Sequence, residues 1–507
     1  MSESDNHAEQ RSRDVETLAS GAMTTLVGRF TGRSINYVVV VFLGRLLGPA
    51  QYGLYGIGLT IMALGGLAAS LGVEHGVIRY GSRYRSSDAP RLKGVILESL
   101  GVAAVVGSLF GIAMYLLAPW VANGIFGKPG LEQVLRGFSL GLLFYPILRV
   151  AAASTRISQR MRYSVYSEEL TGPVVFLVLF AVLYSFGWKL MAAVIGHVAS
   201  TGVATVVALF LLVRLFPVLR EQVTSTFMPI RELISFSVPT AMSSMMGLIA
   251  MWLDRLMVGY YLSEIETGVY LAASQISFLF TILLISFNSI FTPMIADLYH
   301  QGATRRLDEL FKVSTRWGFY LGVPVFLVIA LVPNQLLGVI FDSRYLSGSW
   351  PMVILSAGQM VNLATGAVGF LLVMSGREKR WMLASGVALT ANFFLNMALI
   401  PRYGLVGAAV ATAIAVTLLF SFGLLLVHRS LGLWPYDRRI IKGLIAIGAT
   451  AAILMWARTW EISSSLVGIL LICTLSVVTF FGSLAAMGLP AEDRELLGLI
   501  GRRFRRG

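Results

Sequence analysis

Charge is what this chain has least of. Of its 507 residues only 13% are Asp, Glu, Lys or Arg, where a soluble globular domain carries about 25%. Hydrophobic residues reach 56% and the mean hydropathy is +0.76. So long a chain with so few charges cannot cover a water-facing surface, which excludes a soluble globular protein. Its apolar surplus must face lipid. Cysteine is nearly absent too. The one thiol, Cys473, sits inside an apolar run, so disulfides contribute nothing and leave no trace of the redox compartment.

Other absences narrow the function. No His, Cys, Asp and Glu cluster at metal-ligand spacing, and the connections expected on the outer side are too short to build a catalytic site. An enzyme reading, such as a membrane glycosyltransferase or glycan polymerase, is therefore set aside. No glycine-rich loop runs into Lys-Ser/Thr, so the chain does not itself hydrolyse ATP, and no cofactor is expected. The first sixteen residues are polar and lack an apolar core with a small-residue cleavage site. The first apolar run then acts as its own insertion signal.

What is present is a series of apolar runs, such as 102–118, 174–184, 318–333 and 404–427. A bilayer admits only helices and closed barrels, and barrel strands would be about 10 residues of strict alternation. The runs are longer and unalternating, so the fold class expected is an all-α polytopic membrane protein. Fourteen helices are expected, near 18–47, 52–75, 95–118, 131–150, 166–186, 189–214, 232–259, 266–296, 314–341, 350–375, 381–400, 404–428, 439–458 and 464–488.

The basic residues sort by side. A net charge of +14 could suggest nucleic acid, but the charges lie in short clusters between apolar runs, which excludes that partner. With fourteen helices, thirty of the 40 Lys and Arg fall on one side, and Arg45, Lys128, Lys189, Arg344, Arg402 and Arg458 on the other. Arg29, Arg33, Arg136 and Arg255 fall within spans. One miscounted helix would invert every later loop and destroy this split. The positive-inside rule then puts both termini in the cytoplasm of a cell expressing the protein at its cytoplasmic membrane. The basic tail 502–506 suits an anchor of that kind or contact with anionic lipid head groups.

An internal repeat organises the helices. Leu43-Gly44-Arg45-Leu46-Leu47 followed by Tyr52-Gly53-Leu54-Tyr55 is echoed by Leu253-Asp254-Arg255-Leu256-Met257 followed by Thr267-Gly268-Val269-Tyr270. A second echo pairs Gly187 and Ala192-Ala193-Val194 with Gly404 and Ala408-Ala409-Val410. Six helices separate the copies, so the repeats are parallel. The domains expected are a cytoplasmic tail at 1–17, an N-lobe at 18–220, a C-lobe at 221–430, an appended helix pair at 431–488 and a basic cytoplasmic tail at 489–507. Two six-helix lobes suit alternating access.

Three stretches carry a family resemblance. They are residues 43–55, residues 292–297 with Arg305-Arg306-Leu307, and residues 395–409, which include Pro401-Arg402-Tyr403-Gly404. In these, and over essentially its whole length, the chain resembles the Wzx-type polysaccharide flippases. These form the polysaccharide-transporter branch of the multidrug/oligosaccharidyl-lipid/polysaccharide exporter superfamily. The resemblance implies two V-shaped lobes and outward translocation of an oligosaccharide on a polyprenyl (di)phosphate. Its implied partners are that substrate, membrane lipids and the glycan assembly enzymes, and it names no coupling ion.

Charges inside the spans locate the expected site. An arginine at mid-helix costs about 2.5–3.5 kcal/mol on insertion scales, so it faces protein or water. Thr25, Arg29, Arg33, Asn36 and Tyr37 form one polar stripe of the first helix. Arginine's planar fork suits phosphate oxygens, so Arg29 and Arg33, with Asn36 and Tyr37, are the expected head-group contacts. The competing reading pairs these arginines with a carboxylate on another helix. Arg255 and Arg136 join them as weaker candidates near outer helix ends. Gln275, Asn288, Gln359 and Asn362, with Asn392 and Asn396, suit sugar hydroxyls, although such amides also bridge helices. Glu74, His75, Glu168 and Glu169 sit near cytoplasmic helix ends, as partners for nearby arginines. His197 reads either as a packing residue or as a proton-coupling group. The alternative function is a cation-coupled multidrug antiporter of the same superfamily, which would require buried carboxylates in the first lobe.

Overall fold

The computed structural model describes residues 3–160, 162–222, 224–437, 440–459 and 465–488, with the side chains at 3–30, 33, 243, 244, 250, 285–290 and 293 outside that description. Among the described residues there are helices and no strands. The chain divides into two compact units, Met1–Gly268 and Val269–Gly507.

The first unit contains α1 (Glu3–Ser70), α2 (Val73–Tyr84), α3 (Ala89–Pro119), α4 (Pro129–Ser139), α5 (Gly141–Arg156), a single turn α6 (Arg162–Val165), α7 (Gly172–Ser185), α8 (Lys189–Leu215) and α9 (Ile230–Tyr261). It ends inside α10 (Glu264–Ser277). α1 breaks at Gly48, whose φ of 72° and ψ of 169° leave the helical region, and Pro49 restarts it; proline suits a first turn because its missing N–H is not needed there. α3 starts at Asp88, whose carboxylate accepts from Arg91 N at 3.0 Å. Two π-helical turns interrupt the pattern, Trp120–Ile125 after α3 and Tyr166–Thr171 between α6 and α7. Val73 and Val77 of α2, Leu92 and Ile96 of α3, Val150 of α5 and Leu212 of α8 are buried in one apolar core.

α9 packs within this first unit. Arg79 of α2 lies 4.1 Å over the Phe236 ring, and Lys128 reaches the other end of α9.

The second unit continues from α10 through α11 (Leu279–His300), α12 (Thr304–Leu331), α13 (Pro333–Ile340), α14 (Ser349–Thr365), α15 (Val368–Met374), α16 (Glu378–Leu431), α17 (Ile440–Ala457) and α18 (Leu466–Ala486). α16 is two helices folded back on each other. Gly404 has φ 56° and ψ −132°, and Asn392 Nδ2 donates to Thr412 Oγ1 at 3.4 Å, which a straight helix would hold about 30 Å apart. α17 and α18 dock on α12: Ser476 Oγ donates to the Pro324 carbonyl at 2.9 Å, and Tyr320 meets Phe480 edge-on at 5.7 Å. Buried Arg316 of α12 pairs with Asp437 at 3.4 Å.

Among the described residues ten helices are long and apolar enough to cross a membrane, or twelve if two bent pairs each count as one span. Each of the fourteen expected helices overlaps one of these twelve, because Ser34–Tyr84 and Glu378–Leu431 each hold two, broken at Gly48 and Gly404. The expected single helices at 131–150 and 350–375 are instead bent, by 43° and 45°. Gly187 and Gly404, matched in the sequence echo, both have positive φ. Trp120, Trp188, Trp350 and Trp456 are at least half exposed and stand at or beside helix ends, where tryptophans of membrane proteins gather.

Candidate functional site

The site begins with α1. Thr25, Arg29 and Arg33 fall on its helical backbone, with side chains outside the described residues. Asn36 is exposed and Tyr37 half-buried. Between the two arginines, Gly32 leaves no room for a side chain, because a Cβ there would collide with the Glu169 carbonyl oxygen. The first helix therefore runs in backbone contact with the π-helical turn Tyr166–Thr171. Extra-residue turns of this kind re-aim side chains and recur at functional sites.

That turn carries one side of a charge network. Arg156 at the end of α5 pairs with Glu168 and donates from Nε to Ser164 Oγ at 2.9 Å. Ser164 in turn donates to Glu168 Oε2 at 3.0 Å. Two turns earlier on α5, Arg149 Nη2 donates to Glu74 Oε1 of α2 at 3.2 Å. Glu74 is 4% exposed, whereas 36% of the Arg149 side chain is exposed. The Glu168 charge also acts on Arg149. Tyr145, four residues before Arg149, packs against Gly66 of α1. Four elements thus converge: both halves of α1, α2, α5 and the π turn.

The remaining predicted residues disperse. Arg136 is exposed on α4, bridging to Glu132 at 3.0 Å and lying 5.3 Å from the Tyr115 ring centroid. Arg255 is half-buried on α9 within electrostatic reach of Tyr52, and its backbone N–H donates to the Asp254 carboxylate at 2.8 Å. Arg45 is exposed. Gln275 is half-buried on α10, and the Asn288 side chain lies outside the described residues. Asn362 Nδ2 donates to Gln359 Oε1 one turn away on α14 at 3.3 Å. Asn396 Nδ2 donates to Asn392 Oδ1 at 2.9 Å along the first arm of α16, and Asn392 reaches across the hairpin to Thr412.

His197 is boxed by rings: Tyr55, Phe138 and Phe176 stand within 6.4 Å, each edge-on. Tyr55 Oη lies 3.3 Å from its Nδ1. This is the geometry of a packing residue.

Sequence reasoning foresaw carboxylates meeting arginines but not which ones. The Glu74–Arg149 pair spans 75 positions. One signal was available: Tyr145, Arg149 and Arg156 recur at four and seven residues, which places them on one helical face.

Fold and site together define a multi-pass, all-α membrane protein with ionic groups held inside its first helical unit. Solved structures share the fold. The lipid II flippase MurJ in an inward closed conformation superposes with a TM-score of 0.72 at 12% identity, covering 94% of this chain and all of that one. An inward-facing MATE family multidrug resistance transporter of the MOP superfamily gives 0.65 at 15% identity, over 81% and 98%. The chain belongs to the polysaccharide biosynthesis protein family, whose profile matches residues 42–349. Two relatives from Haloferax volcanii align along most of their length. The probable low-salt glycan biosynthesis flippase Agl15 is 22% identical over 78% of this chain and 81% of its own. The probable flippase AglR is 23% identical over 86% and 89%.

Proposed function

We propose that the protein is a flippase that moves a polyprenyl-(di)phosphate-linked oligosaccharide from the cytoplasmic to the outer leaflet of the cytoplasmic membrane, supplying surface polysaccharide or glycoconjugate synthesis. The observation that carries this reading is the alignment, over most of both chains, with two relatives named as flippases, within a polysaccharide biosynthesis family. Both termini are cytoplasmic in this reading, and glycan assembly enzymes deliver the substrate.

The phosphate docks on Arg29 and Arg33, with Asn36 and Tyr37 on the same stripe, while the polyprenyl tail stays in lipid. Arg255 and Arg136 contribute positive charge along the outward path. Gln275, Asn288, Gln359 and Asn362 serve the sugar. Outward transfer of net negative charge is downhill in an inside-negative membrane by about 2.3 kcal/mol per charge per 100 mV. The chain acts as a carrier rather than an enzyme.

A multidrug antiporter is the second reading, favoured by the fold shared with the MATE transporter. Expression in cells lacking the flippase for a matching lipid-linked glycan separates the two. Restored surface glycan is the expected result. Dye efflux without glycan, at equal membrane abundance, would establish the antiporter.

A further inference from the structure

The Glu74–Arg149 pair has the features of an occupied ligand site rather than of a finished salt bridge. A structural Arg–carboxylate pair closes best as a two-pronged fork. Here a single hydrogen bond joins them, at 3.2 Å. Glu74 Oε2 and Arg149 Nε are both buried without a hydrogen-bond partner among the described residues. Glu74 is 4% exposed, so its unpartnered oxygen has no ready access to bulk water.

Accessibility is one-sided. The carboxylate is enclosed, while about a third of the Arg149 side chain remains reachable. A guanidinium has five N–H groups in a fixed fork, and Glu74 takes one. Local charge decides what can occupy the rest. Arg156 is held by Glu168 and Ser164. Glu74 and Glu168 balance Arg149 and Arg156, so the four groups carry no net charge. An incoming anion gains most where it displaces a carboxylate, and Arg149 is the cation whose partner holds it by one bond only.

Resting on the flippase reading, we propose that Arg149 is a phosphate-receiving site that Glu74 occupies in the unloaded protein, so that the substrate's phosphate and the Glu74 carboxylate compete for one guanidinium. Its ligand class is a prenyl diphosphate. Gly32 seats α1, the helix that carries Arg29 and Arg33, against the same π turn that holds Glu168, and the Glu168 charge acts on Arg149. Glu74 then keeps the guanidinium oriented until a phosphate takes it, and reclaims it after release.

Competition reverses the usual sign of a mutation. Removing a structural partner weakens a site, whereas removing a competitor strengthens it. Farnesyl diphosphate binding to the full chain in detergent micelles reads this directly. Glu74→Gln is expected to tighten binding at least about tenfold, the worth of one charged hydrogen bond. Arg149→Ala would strand a buried carboxylate, so the charge-neutral pair Glu74→Gln/Arg149→Gln is the second variant, and it is expected to lose that gain and bind more weakly than wild type. Unchanged or weaker binding by Glu74→Gln, or full binding by the double variant, would overturn the proposal while leaving the flippase reading standing. Failure of wild type and both variants alike to bind the probe would count against both. Inorganic pyrophosphate run in parallel is expected to bind more weakly than the prenyl probe. Equal binding would assign the site to a free diphosphate and overturn its lipid-linked form.

Discussion

Lys128 Nζ donates to the carbonyls of Gly259, at 2.6 Å, and Leu262, at 2.7 Å, capping the last turn of α9. The side chain is nearly enclosed, with 6% exposure. Helix C-terminal carbonyls lack intrahelical partners, and stranding a buried one costs about 1–3 kcal/mol. Lys128→Met is therefore expected to lower the thermal stability of the purified protein by about 2 kcal/mol or more. Equal melting of variant and wild type would show that the cap contributes nothing.

The same lysine predicts a pH dependence. Burial lowers its pKa from the ordinary value of 10.5, against the opposing pull of Glu264 and Glu266. With the folded pKa below the unfolded one, the unfolded chain holds the proton more tightly. Stability then rises with pH between the folded pKa and the ordinary one. Melting of wild type minus Lys128→Met, followed up to that ordinary lysine value, should show an upward slope. A downward slope would mean that the acidic neighbours dominate.

The α16 hairpin depends on a close approach. A Cβ on Gly407 would overlap the Leu399 carbonyl oxygen across the turn, whereas one on Gly386 would meet nothing within 4 Å. Gly407→Ala is expected to cost about 1–3 kcal/mol through overpacking, and Gly386→Ala to be neutral or slightly stabilising through helix propensity. Equal melting temperatures for the two variants would refute the hairpin packing.

For His197, the ring cage predicts a stability role. His197→Ala should lose about 2 kcal/mol or more through the cavity left among Tyr55, Phe138 and Phe176, with substrate translocation per folded molecule unchanged. Loss of translocation with unaltered melting would instead make it a coupling group.

Much of the fold was legible because lipid imposes one rule, that backbone polar groups close within helices. Run length therefore located every helix that is long and apolar enough to cross a membrane among the described residues. The breaks inside Ser34–Tyr84 and Glu378–Leu431 were legible at Gly48-Pro49 and Gly404, where the residues themselves stop a helix. The bend between α4 and α5 was not, because nothing at Leu140 marks it. Arg29 and Arg33 stand out as charges in an apolar run, but Arg149 sits near a helix end and resembles any positive-inside residue. Only packing brings Glu74 to it, and pairing across 75 positions leaves no local pattern.

The central claim is translocation of a prenyl-diphosphate-linked sugar, and a leaflet-accessibility assay in reconstituted vesicles tests it most directly. Wild-type protein is expected to move the lipid to the opposite leaflet faster than protein-free vesicles do, and Arg29→Ala/Arg33→Ala to slow it at least about tenfold, the equivalent of one lost charged hydrogen bond. Movement no faster than in protein-free vesicles, with folded wild-type protein and its matching glycan lipid present, would contradict the account.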